Sequence, residues 1–155
     1  MTPEEALKAS TNYLKNLAAM KNGYVAVGLP VSKVADKTYG SGQSVIDAGA
    51  AHEFGTNDLP ERSFLRAPFT LKKSEINRLI AKQVESVGSG AIDANQALNL
   101  IGIAARNISV KAFETAGYGT WPDIKEATKA AKKSSGILID TGELRGAITW
   151  EVRSE

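Results

Sequence analysis

Apolar residues in this chain recur at helical spacing over long stretches. They form a short apolar run near residue 25 and alternate with polar residues near residue 150. Thr2-Pro3-Glu4-Glu5 has the pattern of a capping box with proline at the first helical position, and Asn22-Gly23 supplies a helix stop. The apolar spacing between them predicts an amphipathic helix over residues 3–21, within an N-terminal element of residues 1–22. Residues 24–30 are short, rich in β-branched side chains and closed by proline, which predicts a strand.

Two longer apolar stripes predict a pair of helices. Pro68 suits the start of the first helix, and a sustained stripe follows it as far as residue 87. Asp93 caps a second stripe, which ends at Gly117. Only a short glycine-containing break at residues 88–90 separates the two stripes. We therefore expect an antiparallel helical pair.

Shorter elements complete the expected fold. The sequence predicts a helix over residues 45–54 capped by Ser44, a short helix over 123–133, a helical turn over 141–147 and a strand over 148–152. Residues 31–43 show little periodicity and predict a mobile loop. The prediction is one α+β domain over residues 1–155. It has a long antiparallel helical pair plus shorter helices packed on a small β-sheet formed by residues near 24–30 and 147–153.

Composition narrows the class of protein. The chain has 155 residues, 43% of them hydrophobic, which suits a single globular domain. The net charge of +2 is too small for a dedicated nucleic-acid binder. There is no cysteine, so disulfides and cysteine-ligated metals are excluded. No apolar run is long enough to cross a membrane, and the N-terminus lacks signal-peptide character, so assembly in the cytoplasm is expected.

Candidate catalytic residues lack the partners that their chemistry needs. His52 is the only histidine, and His52-Glu53 has no second histidine to complete a zinc-binding helix motif. Asp140-Thr141-Gly142 has the core of an aspartic-protease loop, but such enzymes need two carboxylates that share a proton. No serine lies in a nucleophile-elbow sequence. The sequence predicts no catalytic residue, no cofactor and no metal; a small hydrolase that uses Asp140 is the distant alternative.

Charge is distributed unevenly along the chain. Residues 43–58 contain Asp47, Glu53 and Asp58 and no lysine or arginine. Residues 60–85 contain six basic and three acidic residues. One interpretation is a pair of solvated surfaces. The other is an acidic edge that meets a basic edge on a neighbouring copy, which would close into a ring if the rotation between copies allowed it.

The two tryptophans are the largest apolar anchors. Trp121 precedes proline in a glycine-rich stretch, so it can pack on its own helical pair or on a neighbouring copy. Trp150 shares one face of the terminal strand with Val152 and is expected in the core.

The order of motifs resembles that of a family of phage proteins. The motifs are, in chain order, Ala51-His52-Glu53-Phe54-Gly55-Thr56, then Pro60-Glu61-Arg62-Ser63-Phe64-Leu65-Arg66, Trp121-Pro122, and Leu138-Ile139-Asp140-Thr141-Gly142-Glu143-Leu144-Arg145. This order resembles the Mu-type virion morphogenesis family and the related tail-completion proteins of lambda-like long-tailed phages, over about residues 24–153. The resemblance implies a non-enzymatic structural protein of the virion, at the head-proximal end of the tail or in the neck.

The resemblance also implies partners. It implies a ring of copies, most simply a hexamer that matches the tail tube, or a dodecamer that matches the portal side. The neighbours would be a tail terminator, a tail-tube protein or a head-completion protein. DNA would pass through the lumen without specific binding, and no membrane is involved. A tail terminator or a minor tail protein is the alternative place in the same tail.

Residues of the motifs are the expected contacts between copies. Phe64 and Leu65 would seat the long helix, while Arg62 and Arg66 would stay free to bind carboxylates of a neighbour. In the last motif Asp140 or Thr141 would cap the following turn, and Glu143 and Arg145 would point outward. The expected interface residues are Asp47, Glu53, Arg62, Phe64, Arg66, Trp121, Glu143 and Arg145.

Overall fold

A computed structural model describes residues 1–123 and 142–155. The elements in chain order are α1 (Pro3–Asn22), β1 (Gly23–Gly28), α2 (Val31–Val34), α3 (Val45–Phe54), α4 (Arg66–Leu71), α5 (Lys73–Gly88), α6 (Ala94–Glu114), α7 (Glu143–Ala147) and β2 (Thr149–Ser154). The predicted α+β fold is confirmed. The helix expected at residues 123–133 and the apolar run at 137–140 fall outside the described residues.

The sheet joins two distant parts of the chain, as predicted. β1 and β2 pair antiparallel, with Val25 opposite Val152 and Val27 opposite Trp150. These four side chains share the face that packs on α6, because side chains alternate between the faces of a strand. The Trp150 indole lies against Gly102 and donates a hydrogen bond to Asn99 Oδ1 at 3.1 Å. Trp150 is half-buried there.

Helix α6 is the central element and carries the buried seam that its sequence predicts. Asp93 accepts a hydrogen bond from Gln96 N, and the Gln96 side chain accepts one from Asp93 N, which completes a capping box. One face of the helix is buried from Ala97 to Ala112. Helix α5 packs along α6 and connects to it through residues 89–93, so the expected antiparallel pair is present.

Two expectations about individual segments are wrong. The helix expected to run unbroken from Pro68 is two helices that meet at Lys72, and the first of them begins at Arg66. The early start follows from Ser63, whose hydroxyl accepts a hydrogen bond from Ala67 N at 2.9 Å. Residues 31–43 are not an irregular loop, because they contain α2 and the bridge between Thr38 and Ser44. Val34, only 2% exposed, ties α2 to the core.

The main core lies around the C-terminal half of α6. Phe113 of α6 packs against Phe64 and Trp121, with ring centroids 5.3 Å and 5.5 Å away. The other members of this core cluster are Val34, Val45, Ala112, Leu144, Ala147 and Ile148. The core therefore gathers α2, α3, α6, α7 and the segment before α4 at one end of the molecule.

Candidate functional site

Glu53 holds the two central sequence motifs together. It lies at the end of α3 and is only 4% exposed. Its carboxylate accepts hydrogen bonds from the backbone N–H groups of Phe64 (2.8 Å), Leu65 (3.0 Å) and Arg66 (3.0 Å), and from the Ser63 hydroxyl (2.8 Å). The buried carboxylate thus satisfies three backbone donors at the start of α4, where the N-cap residue Leu65 has no side chain that could cap them.

Arg66 completes the cluster around Glu53. Its Nε donates to Glu53 Oε1 at 3.0 Å, and its second terminal nitrogen donates to Glu53 O at 2.8 Å and to Glu61 Oε1 at 2.9 Å. The guanidinium also lies 4.3 Å from the centroid of the Phe54 ring. Burial raises the pKa of Glu53, but hydrogen bonds from the backbone of Arg66 and from the Ser63 side chain outweigh it, so the pKa lies below its ordinary value.

Arg62 is buried and engaged within its own chain. Its side chain is 4% exposed, with Nε donating to Pro122 O and a terminal nitrogen donating to Asp123 O, both at 3.2 Å. Burial lowers the pKa of Arg62, while the nearby Asp123 carboxylate raises it. The expectation that Arg62 stays free for a neighbour is wrong, because the backbone carbonyl groups of Pro122 and Asp123 use its donors. Arg62 instead fixes the chain that follows Trp121.

Trp121 and Phe64 also belong to the body of their own copy. The Trp121 indole donates to Ser63 O at 2.9 Å and is 9% exposed. Phe64 is 1% exposed, and Phe64 O accepts a hydrogen bond from the Ser109 hydroxyl of α6 at 2.6 Å. Phe64 therefore seats the helical pair, as expected. Neither ring can serve as an exposed contact between copies without unpacking the core.

A left-handed turn holds Trp121 in place. Residues 116–119 all have positive φ, including the non-glycine residues Ala116 (48°) and Tyr118 (57°). The Trp121 indole packs directly on the backbone of Gly117, where any β-carbon would overlap it. Left-handed backbone costs a non-glycine residue about 1–2 kcal/mol, so the surrounding contacts must hold this turn. One such contact joins the Tyr118 hydroxyl to Ile108 O at 2.9 Å.

The remaining expected interface residues lie apart from this cluster. Asp47 is exposed on α3. Arg145 on α7 lies 3.8 Å from Glu114 at the end of α6. Glu143 is half-buried, with its Oε2 buried, so it does not simply point outward. The capping roles expected of Asp140 and Thr141 fall outside the described residues.

The acidic and basic edges expected from the sequence share one ion pair within a single copy. Glu53, one of the three acidic residues of 43–58, pairs with Arg66, one of the six basic residues of 60–85. Arg62 is buried. Asp47, Arg66 and Arg145 retain exposed or half-exposed side chains and can still contact another molecule.

An apolar groove is the main surface feature that the sequence reasoning missed. It lies between α1, β1, α5 and α6, has a volume of about 840 Å³, and is lined chiefly by Leu17, Met20, Val25, Ile80, Val84 and Leu98. Ile80 and Val84 are 37% and 39% exposed. A signal was present in the apolar stripe of α5, which is too wide for a single contact face. Leu79 lies toward one side of it, and Ile80 and Val84 lie toward the other.

Helix α1 presents further apolar surface. None of its 20 residues is buried, and Leu7 and Leu14 are 69% and 65% exposed. Contiguous apolar surface of this kind marks sites of interaction in soluble proteins. The groove and α1 are therefore better candidates for a contact surface than the buried motif residues.

His52 shows no sign of metal chemistry in the described part of the chain. There, no group of three or more histidine, aspartate and glutamate side chains is placed to hold a metal ion. His52 is half-buried, and its backbone oxygen accepts a hydrogen bond from Arg62 N at 2.8 Å. Asp140, the residue of the hydrolase alternative, lies outside the described residues.

No protein-family model, curated protein or solved structure matches this chain. Of the helices in residues 1–123 and 142–155, none is both long and apolar enough to cross a membrane.

Proposed function

We propose that this chain is a structural protein of a phage virion that acts in the neck or at the head-proximal end of the tail. Copies of it form a closed homo-oligomeric ring that joins the tail to the head or stabilises it there. The order of the sequence motifs, from His52-Glu53-Phe54-Gly55 to Gly142-Glu143-Leu144-Arg145, motivates this assignment.

The observation that carries the proposal is the apolar surface that residues 1–123 and 142–155 of one copy leave uncovered. The groove and the outer side of α1 are separate surfaces, and both expose leucine, isoleucine or valine side chains. A monomer gains nothing from such exposure, whereas an assembly buries it. Contacts between two different surfaces of identical copies generate rings when the rotation closes.

The motif residues support the proposal because they form a rigid scaffold within one copy. Glu53 locks α3 to the start of α4, and Arg62 locks the same segment to the chain around Pro122. The segment that Glu53 and Arg62 fix leads through α4 directly into α5, which forms one wall of the groove, so these contacts help to hold that wall in place. A rigid body suits a protein that must match the spacing of neighbours above and below it.

Analysis of purified particles tests the proposed location. Particles of the phage that encodes this chain should contain it, and labelling with an antibody should mark the head–tail junction in electron micrographs. Particles made without the chain should show separated heads and tails. Normal particles that lack the chain would contradict the proposal.

A place as tail terminator or minor tail protein is the second candidate, because the same surfaces serve a ring at either end of the tail. Label at the far end of the tail, with the junction unlabelled, would favour a minor tail protein. The hydrolase alternative predicts activity that Asp140→Asn abolishes while folding is retained. A broad screen of hydrolase substrates without turnover would remove it.

A further inference from the structure

Helix α1 carries two apolar stripes, one packed on its own body and one largely exposed, of which Leu14 also borders residues 87–90. Tyr13, Leu17 and Met20 recur at helical spacing and lie toward α5, α6 and β1. Leu7 and Leu14 are seven residues apart, which is nearly two full turns, so they share another side of the helix. Thr11 lies between them on that side. Both leucines remain about two-thirds exposed.

The outer stripe matches the apolar groove in length. From Leu7 to Leu14 the helix rises about 10 Å, and from Ile76 to Val84 along the groove wall α5 rises about 12 Å. The groove floor is supplied by Leu98 and Ile101 of α6. An amphipathic helix that offers leucines at this spacing is a recognised occupant of such a groove.

Charge favours the same pairing. Lys21 lines the groove, and Lys73 stands exposed at the start of α5, next to the groove wall. The first turn of α1 carries Glu4 and Glu5. An α1 helix in the groove can therefore bring carboxylates to a basic rim, which would fix its direction.

The outer stripe of α1 cannot reach the groove of its own copy. The residues of α1 that line that groove begin at Leu17, ten residues beyond Leu7 and about 15 Å further along the same rigid helix. β1 begins directly after α1, and Glu155 N donates to Asn22 O, which fixes the end of the helix to the sheet. Within residues 1–123 and 142–155 no further helix of the same copy is placed to fill the groove, which leaves α1 of a second copy as the occupant that the described surfaces offer.

We propose that α1 of one copy docks through Leu7, Thr11 and Leu14 into the apolar groove of a second copy of this chain. The inference rests on the proposed ring and assigns the contact that builds it. Stripe and groove are different surfaces, so the contact is head-to-tail and each copy both gives and receives a helix.

Cross-linking between separately labelled copies tests this contact. The chain has no cysteine, so a cysteine introduced at one position is the only thiol that can react. Protein with Leu7→Cys is mixed with protein with Ile80→Cys, allowed to exchange subunits, and treated with a short bis-maleimide. The expected result is a covalent dimer that contains one copy of each variant. A mixture of Leu7→Cys with Asp47→Cys is the matched control, since Asp47 is exposed on α3 away from the groove, and it should give only the background of random collision.

The outcomes separate this inference from the proposed ring. An oligomer in which Leu7 and Ile80 cross-link no better than the control would overturn the docking of α1 and leave the ring intact. A protein that stays monomeric at every concentration would overturn both.

A pair of charge variants provides the second test. Leu14→Asp should raise the dissociation constant between copies about thirtyfold or more, the effect expected from losing a buried leucine side chain. Asn12→Asp adds the same charge on another side of α1 and should change it by less than about threefold. Both variants should keep the circular dichroism spectrum of the wild type, because Leu14 and Asn12 are exposed in one copy. Equal effects of the two variants would contradict the inference.

Discussion

Replacing Glu53 with glutamine should destabilise the fold far more than its single-atom change suggests. One carboxylate oxygen accepts from Phe64 N and Leu65 N, and the other accepts from Arg66 N, Arg66 Nε and the Ser63 hydroxyl. A glutamine oxygen can replace only one of these acceptors, and its NH2 group would face the donors that the other served. At least two buried donors then lose their partner.

The size of the effect follows from those lost bonds. Each unsatisfied buried donor costs about 1–3 kcal/mol, and the hydrogen bonds lost are to a charged group. Two such donors account for about 2–6 kcal/mol, and the lost ion pair adds little because the Arg66 side chain is 54% exposed. We therefore expect Glu53→Gln to lower the free energy of unfolding by about 3–5 kcal/mol, a large part of the about 5–15 kcal/mol that a domain has.

Urea unfolding followed by tryptophan fluorescence measures this change, because Trp121 packs at the same site. Glu61→Gln is the matched control. It removes the same charge from the exposed partner of Arg66, and exposed ion pairs contribute at most about 1 kcal/mol. Both proteins should be compared at one concentration, since association adds to stability. If Glu53→Gln were no less stable than Glu61→Gln, the structural role assigned to Glu53 would be refuted.

Three further predictions concern the same region. In urea unfolding, Gly117→Ala should lower the free energy of unfolding by at least about 2 kcal/mol more than Gly119→Ala. Both glycines have positive φ, but only at Gly117 would a β-carbon overlap Trp121. Equal losses would argue against the packing of Trp121. Arg62→Met should lower the thermal midpoint by several degrees through about 1.5–3 kcal/mol, because it removes the hydrogen bonds that a charged donor makes to Pro122 O and Asp123 O. A variant that melts like the wild type while assembling poorly would restore Arg62 as an interface residue. The pKa of Glu53 is lowered in the folded state, so the ionised carboxylate contributes fully to stability above the ordinary pKa of 4.5. This contribution is lost as the pH falls from there through the folded pKa. Below pH 4.5 the free energy of unfolding should therefore fall more steeply with pH for the wild type than for Glu53→Gln.

Local signals in the sequence were sufficient for most of the fold. The capping residues Thr2 and Asp93 mark where α1 and α6 begin, and the alternation around Trp150 predicts a strand that packs on one face. The pairing of β1 with β2 was predicted because both segments read as short strands and each needs a partner. The start of α4 at Arg66, before Pro68, was missed because it depends on a hydrogen bond from Arg66 N to Glu53, a residue of α3.

The candidate site was harder to predict, because sequence does not reveal which charges pair internally. Arg62 and Glu53 were expected at the surface since charged residues usually lie there. Their burial depends on Pro122, Asp123 and the start of α4, which come near only in the folded chain. The apolar groove was missed for a related reason. The stripe of α5 predicts that Ile80 and Val84 lie on the apolar face of the helix. It does not predict that α6 covers only part of that face.

The mass of the assembled protein tests the central claim most directly. Native mass spectrometry of the purified chain, at rising concentration, should reveal a closed species of six or twelve copies of the 16.4 kDa chain, with no open series of intermediate or larger sizes. Leu14→Asp should shift this species toward monomer, and Asn12→Asp should leave it in place. A wild-type protein that remains a monomer throughout the concentration range would contradict the account.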